Sequence, residues 1–175
     1  MTPHELIQLK AFARQYGLFM GLFWIASFAC FICQTTPFIT FIFDITIFLI
    51  PVVAAFFLRN YRDNILGGRI SLLRGFVFLM MIFFYATLIL AIGQWAYFEY
   101  LDNGRLITTI TNRLNDPEFV TAIGKMGMKK EEMLTGIRSI GDVRPIDFAF
   151  SFMWMNIVVG AVISWVTALL MRRTA

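Results

Sequence analysis

RNYRDNILGGRISLLRG, residues 59–75, sets Arg59, Arg62, Arg69 and Arg74 between two long apolar runs, and its reading decides the fold. Cationic connections between membrane spans stay on the cytoplasmic side, so this stretch fixes both a boundary and an orientation. Residues 64–68, with Gly67 and Gly68, read as the turn within it. The glycine pair lacks the spacing of a phosphate-cradling loop, so it is a turn and no more.

Upstream lies an apolar run over residues 38–58, interrupted by Asp44 and Pro51. A proline there removes one backbone donor and crowds the carbonyl four residues earlier, which predicts a kink. Before it, the run 16–34 opens with Gly17 and Gly21 at GxxxG spacing and closes on Gln34-Thr35-Thr36-Pro37, a turn without Lys or Arg. Downstream, the run 72–100 exceeds the roughly 20 residues a span requires, so it tilts or projects beyond the headgroups. Arg74 near its start is placed to snorkel back to the interface, and Trp95, Tyr97 and Tyr100 form an aromatic belt at its far end. A fourth run, 146–171, carries Trp154 and Trp165, repeats the small-residue spacing at Gly160 and Ser164, and ends on Arg172 and Arg173.

Between the third and fourth runs, residues 101–144 are the only sizeable polar portion. Leu106, Ile107, Ile110 and Leu114 have helical spacing. Asp116 and Pro117 then supply an N-cap and a first-turn proline for a helix bearing Phe119 and Ile123. A further short helix is expected from about Lys129, with Met133, Leu134, Ile137 and Ile140 on one side and Gly141 as its stop. Lys129-Lys130-Glu131-Glu132 reads as the solvated face of that helix.

Hydrophobic residues make up 59% of the 175 and charged residues only 15%, in a few tracts, which excludes an ordinary soluble domain. The net charge of +4 does not point to nucleic acid, because the basic residues flank apolar runs instead of sharing one face. Near the start, Lys10 and Arg14 precede an apolar run, but no convincing cleavage site follows, so that run is read as a retained span. The expected fold is all-α: one integral membrane domain over residues 1–175, a four-helix transmembrane bundle with spans 16–34, 38–58, 72–100 and 146–171. Lys10, Arg14, the four arginines of the central connection, Arg172 and Arg173 all fall beside span ends on one side. Both termini are therefore expected in the cytoplasm and the helical segment 101–144 outside it.

Cys30-Phe31-Ile32-Cys33 has the spacing of thiol oxidoreductases and sits near the outer end of a span, like the pair of a quinone-linked disulfide oxidase. No second cysteine pair exists to complete such a relay, and apolar surroundings keep a thiol inert, so helix packing is the plainer reading. Asp44 lies about six residues into its run, roughly 9 Å along a helix. A carboxylate there either lines an ion path or sits at the outer interface, favoured by the helix dipole. Glu99, Asp102 and Asp147 are expected at that same level, making an acidic mouth a candidate site for cations. Gln94 and Asn156 are polar within spans and are expected to hydrogen-bond neighbouring helices. Gly17, Gly21, Gly160 and Ser164 are candidate helix-packing residues. His4 is the only histidine, far in sequence from any acid cluster, so neither a metal site, a cofactor site nor a histidine-based catalytic set can be assembled.

Tyr16-Gly17 with Gly21, Gly68-Arg69-Ile70-Ser71, Asp116-Pro117-Glu118-Phe119, Ile163-Ser164 and the closing Arg172-Arg173 together resemble the domain of unknown function 4199 family. The resemblance covers essentially the whole chain. It implies a bacterial inner-membrane protein of the Bacteroidota type, four spans and an outward helical segment, and it transfers no catalytic residue. It also makes a membrane enzyme, such as a polyprenyl-phosphate glycosyltransferase, a candidate partner. The function expected is that of a non-enzymatic accessory or interaction subunit. The alternatives are a small transporter or ion-conducting oligomer using Asp44 and the outer acids, and a CxxC redox protein.

Overall fold

The computed structural model describes residues 2–33, 37–115, 117–125, 127, 129–141 and 143–173. These residues form seven helices: α1 Pro3–Ile32, α2 Pro37–Asn64, α3 Leu72–Tyr100, α4 Arg105–Arg113, α5 Pro117–Lys125, α6 Lys130–Gly141 and α7 Pro145–Met171. Four of them, α1, α2, α3 and α7, are long and apolar enough to cross a membrane. Among the described residues there is no strand, only a single antiparallel bridge between Ile70 and Arg173. The chain is an all-α, multi-pass membrane protein, the architecture that satisfies every backbone group inside lipid.

Helices α3 and α7 begin and end within a residue of the expected spans, whereas α1 and α2 overrun theirs. The first helix starts at Pro3, not near residue 16, because Thr2 and Glu5 form a capping box. The Thr2 hydroxyl accepts from the Glu5 amide at 3.3 Å, and the Glu5 carboxylate accepts from the Thr2 amide at 2.7 Å. Pro3 sits at the first helical position, where its missing N–H costs nothing. Leu9 and Ala13 on this stretch are fully buried while Lys10 and Arg14 are exposed. The expected cationic tail is thus the opening of an amphipathic helix. The second helix stays helical through Pro51 and on to Asn64, six residues past the expected end, carried by fully buried Leu58 and Tyr61.

Contacts divide the chain into two compact units, Met1–Gly93 with Ser151–Ala175, and Gln94–Phe150. The first has its core at Leu9, Met20, Leu58, Tyr61, Phe78 and Ile82, contributed by α1, α2 and α3. Tyr61 stacks on Phe78 with ring centroids 4.0 Å apart, and Tyr16 on Phe57 at 4.8 Å. The second unit gathers a small core around Leu114 and Ile137, flanked by Ile107, Phe119, Met133 and Leu134. These are residues of the expected apolar stripes. The expected cap Asp116, and the side chains of Ile110, Ile123 and Ile140, lie outside the described residues. Asn103 and Gly104, with φ of 44° and 78°, make the left-handed turn that separates α3 from α4.

Candidate functional site

One end of the first unit is assembled around Arg62. Its side chain is buried, and it donates from Nε to Asp63 Oδ1 at 2.7 Å and from Nη2 to Asp63 Oδ2 at 3.1 Å. The remaining nitrogen, Nη1, donates to the carbonyl of Met171 at 3.0 Å. That carbonyl belongs to the last residue of α7, where the final helical oxygens have no partner of their own and carry partial negative charge. One planar guanidinium therefore ties α2 to the C-terminus of α7. The Ile70–Arg173 bridge, with backbone bonds of 3.1 and 3.2 Å, adds a second tie, between the segment before α3 and the residues after α7. Arg74, expected to reach the interface on its own, instead donates to Glu5 at 3.1 Å and joins α3 to α1. Asn60 donates to the Tyr16 hydroxyl at 2.8 Å and accepts from Asn64, joining α2 to α1. Arg59 and Arg69 of the same stretch are exposed. Four arginines that look alike in the sequence thus divide into two internal ties and two surface cations.

The small residues of the spans are occupied within this unit. A Cβ placed on Gly17 meets the Tyr85 Cβ at 2.6 Å and the Ile82 carbonyl oxygen at 3.1 Å; one on Gly21 meets the Ile89 Cβ at 2.9 Å. On α7, a Cβ on Gly160 meets the Phe83 ring at 2.7 Å, and Ser164 one turn on is fully buried. Gly17, Gly21 and Gly160 thus face α3. Cys30 is half-buried and Cys33 exposed, and both thiols are free. Asp44 is exposed on α2, and among the described residues it makes no ion pair. Ser27 donates to Thr46 at 3.1 Å, a polar contact between α1 and α2 without a local signal in the sequence. Asn156 is half-buried.

In the second unit the expected acids do different work. Asp102 is buried and accepts from the Leu106 amide at 3.2 Å, which caps α4. Asp147 accepts two bonds from Arg144, at 2.6 and 3.0 Å, while Glu99 is exposed. Gln94 is buried, with its Oε1 unpartnered among the described residues. No three His, Cys, Asp or Glu side chains among the described residues are placed to hold a metal ion. Asp102 also lines an open cavity of about 210 Å³ with Gly104, Leu106, Val143, Pro145 and the T-shaped pair Phe98 and Phe148, whose centroids are 4.8 Å apart. Replacement of Asp102 by Ala should cost α4 about 1 kcal/mol, the usual loss for a removed cap. Amide exchange in residues 105–113 should then accelerate roughly fivefold, and unchanged exchange would show that α4 does not depend on this carboxylate.

Glu5, Asp63 and the Arg62–Met171 tie were not singled out by the sequence reading. The first had a signal, the Thr2-to-Glu5 capping spacing; the others had none, since nothing local says that residue 62 meets residue 171. Compared with known proteins, the model of one family, described as "Protein of unknown function (DUF4199)", matches residues 15–173. No curated protein and no solved structure matches.

Proposed function

The chain belongs to the DUF4199 family of proteins of unknown function, and from that footing we propose that it is an accessory membrane subunit, without catalytic chemistry of its own. It engages another membrane protein through the unit Gln94–Phe150. The observation that carries this reading is the exposed apolar side chains at the Phe98–Phe148 cavity: Val143, which lines it, is 42% exposed, and Leu101 and Tyr100, just before its Asp102 in the chain, are 64% and 67% exposed. Leu101 and Val143 stand outside the long apolar helices, where lipid tails give no reason for them, and large apolar side chains grouped on a solvated surface mark contact sites. The close packing at Gly17, Gly21 and Gly160 favours this over transport. Asp44 is exposed on α2.

In this reading the protein resides in a bacterial inner membrane, with the arginine-bearing end of the first unit and both termini in the cytoplasm and α4 to α6 outside. A polyprenyl-phosphate glycosyltransferase is the partner class that the family resemblance suggests. Photo-crosslinking amino acids at Leu101 and Val143, with Lys129 on the exposed face before α6 as control, test the assignment in native membranes. One discrete adduct with a second membrane protein from 101 and 143, at least fivefold above that from 129, is expected. Adducts only to lipid, only to a second copy of this chain, or equally from all three positions would overturn it.

A further inference from the structure

The arginine-bearing end of the first unit holds more positive charge than its own acids take up. Asp63 is approached by Arg62 at 2.7 Å and by Arg59 at 3.5 Å, and Arg173 lies near enough to act on it electrostatically. One carboxylate thus meets two guanidinium groups directly and a third through its electrostatic field. Arg62 commits all three of its nitrogens to Asp63 and the Met171 carbonyl, whereas Arg59 has 71% of its side chain exposed. The backbone bridge from Ile70 to Arg173 leaves Arg69 one residue along the chain from that pairing. Among the described residues Arg69 pairs with no acid, and both it and Arg173 are exposed. Glu5, also tied into this end, is taken by Arg74.

We propose that Arg59, Arg69 and Arg173 form a binding site for the phosphodiester headgroup of an anionic glycerophospholipid. Arginine presents parallel N–H groups that match two phosphate oxygens, and three such side chains with one already neutralised aspartate leave a net charge for an anion to meet. The apolar neighbours select a lipid over free phosphate. Phe56, three residues before Arg59, is 63% exposed; Leu73, four residues after Arg69, is 67% exposed; Leu170, three residues before Arg173, is 78% exposed. A headgroup held by the arginines has its acyl chains beside these side chains, where their burial adds apolar contact that a soluble phosphate cannot make. Each arginine near an anionic surface is worth about 1 kcal/mol, or about fivefold in binding.

The test uses purified full-length protein in mild detergent, titrated with dioleoyl phosphatidylglycerol, dioleoyl phosphatidylcholine or glycerol 3-phosphate. The readouts are thermal unfolding and the lipid retained in native mass spectrometry. Phosphatidylglycerol should raise the unfolding midpoint and stay bound, whereas the other two should do neither. The variant R59Q/R69Q/R173Q should weaken phosphatidylglycerol binding at least tenfold while its own unfolding in lipid-free detergent stays near that of the parent, since Arg62 and Arg74 keep their ties. A charge-matched variant in the other unit, K125Q/K129Q/K130Q, should bind as the parent does. Equal stabilisation by phosphatidylcholine, an equal response to glycerol 3-phosphate, or an equal loss in the charge-matched variant would each overturn the assignment.

Discussion

Gly17→Ala should be among the most damaging single-methyl substitutions in the spans, lowering stability by about 1–3 kcal/mol, or by roughly 3–10 °C in unfolding midpoint for a chain of this size. The added Cβ falls 2.6 Å from the Tyr85 Cβ and 3.1 Å from the Ile82 carbonyl oxygen. Neither atom is the free end of a side chain, so α1 and α3 must separate along this contact. Gly21→Ala should cost less, because two of the three atoms it meets, at 3.1 Å, are the Ile89 Cδ1 and Cγ2 methyls. The comparison that isolates the cause is Gly136→Ala in α6, where a Cβ meets nothing within 4 Å. There the loss of a helical glycine should be neutral or favourable by up to about 1 kcal/mol. Thermal unfolding of the three variants in one detergent decides the matter. A Gly17→Ala protein as stable as Gly136→Ala would mean that α1 and α3 do not approach as described, and that the GxxxG face is available to another molecule.

Arg62→Gln should be the other large loss. Breaking a buried ion pair by removing one partner costs about 3–5 kcal/mol, and here the figure is reduced to roughly 2–3 because water still reaches Asp63. The side chain removed is 6% exposed and its partner 37%. What remains is an Asp63 carboxylate with its main partner gone and a Met171 carbonyl without its donor. Arg62→Lys should restore less than half of the loss, since a single ammonium cannot face both oxygens of Asp63 and also the end of α7. Arg69→Gln, seven residues away in the same cationic stretch, should alter stability by no more than about 0.5 kcal/mol. If the two glutamine variants unfolded together, the guanidinium at 62 would be only a topology signal, like its neighbours.

These two cases mark where the sequence was legible and where it was not. The spans were readable because hydropathy is summed along the chain: α3 and α7 stand within a residue of their expected limits. The turn at residues 64–68, the short helices of the polar segment and their apolar stripes were equally local. The start of α1 was also written locally, in Thr2, Pro3 and Glu5, but the cationic residues Lys10 and Arg14 drew the reading toward a tail. The acids were a different matter. Asp44, Glu99, Asp102 and Asp147 shared an expected level, yet Asp102 caps a helix, Asp147 holds Arg144, and Glu99 and Asp44 point outward.

Composition and periodicity, then, were enough to establish lipid as the solvent, four apolar helices to cross it and a polar helical segment between the last two, since each is a property of consecutive residues. Folding alone chose Arg62 over Arg69 as a tie, and made Gly17 a contact while leaving Gly136 open. Those choices depend on which side chains other helices bring within a few ångströms, and residues 62 and 171 or 17 and 85 meet only after the whole first unit has closed.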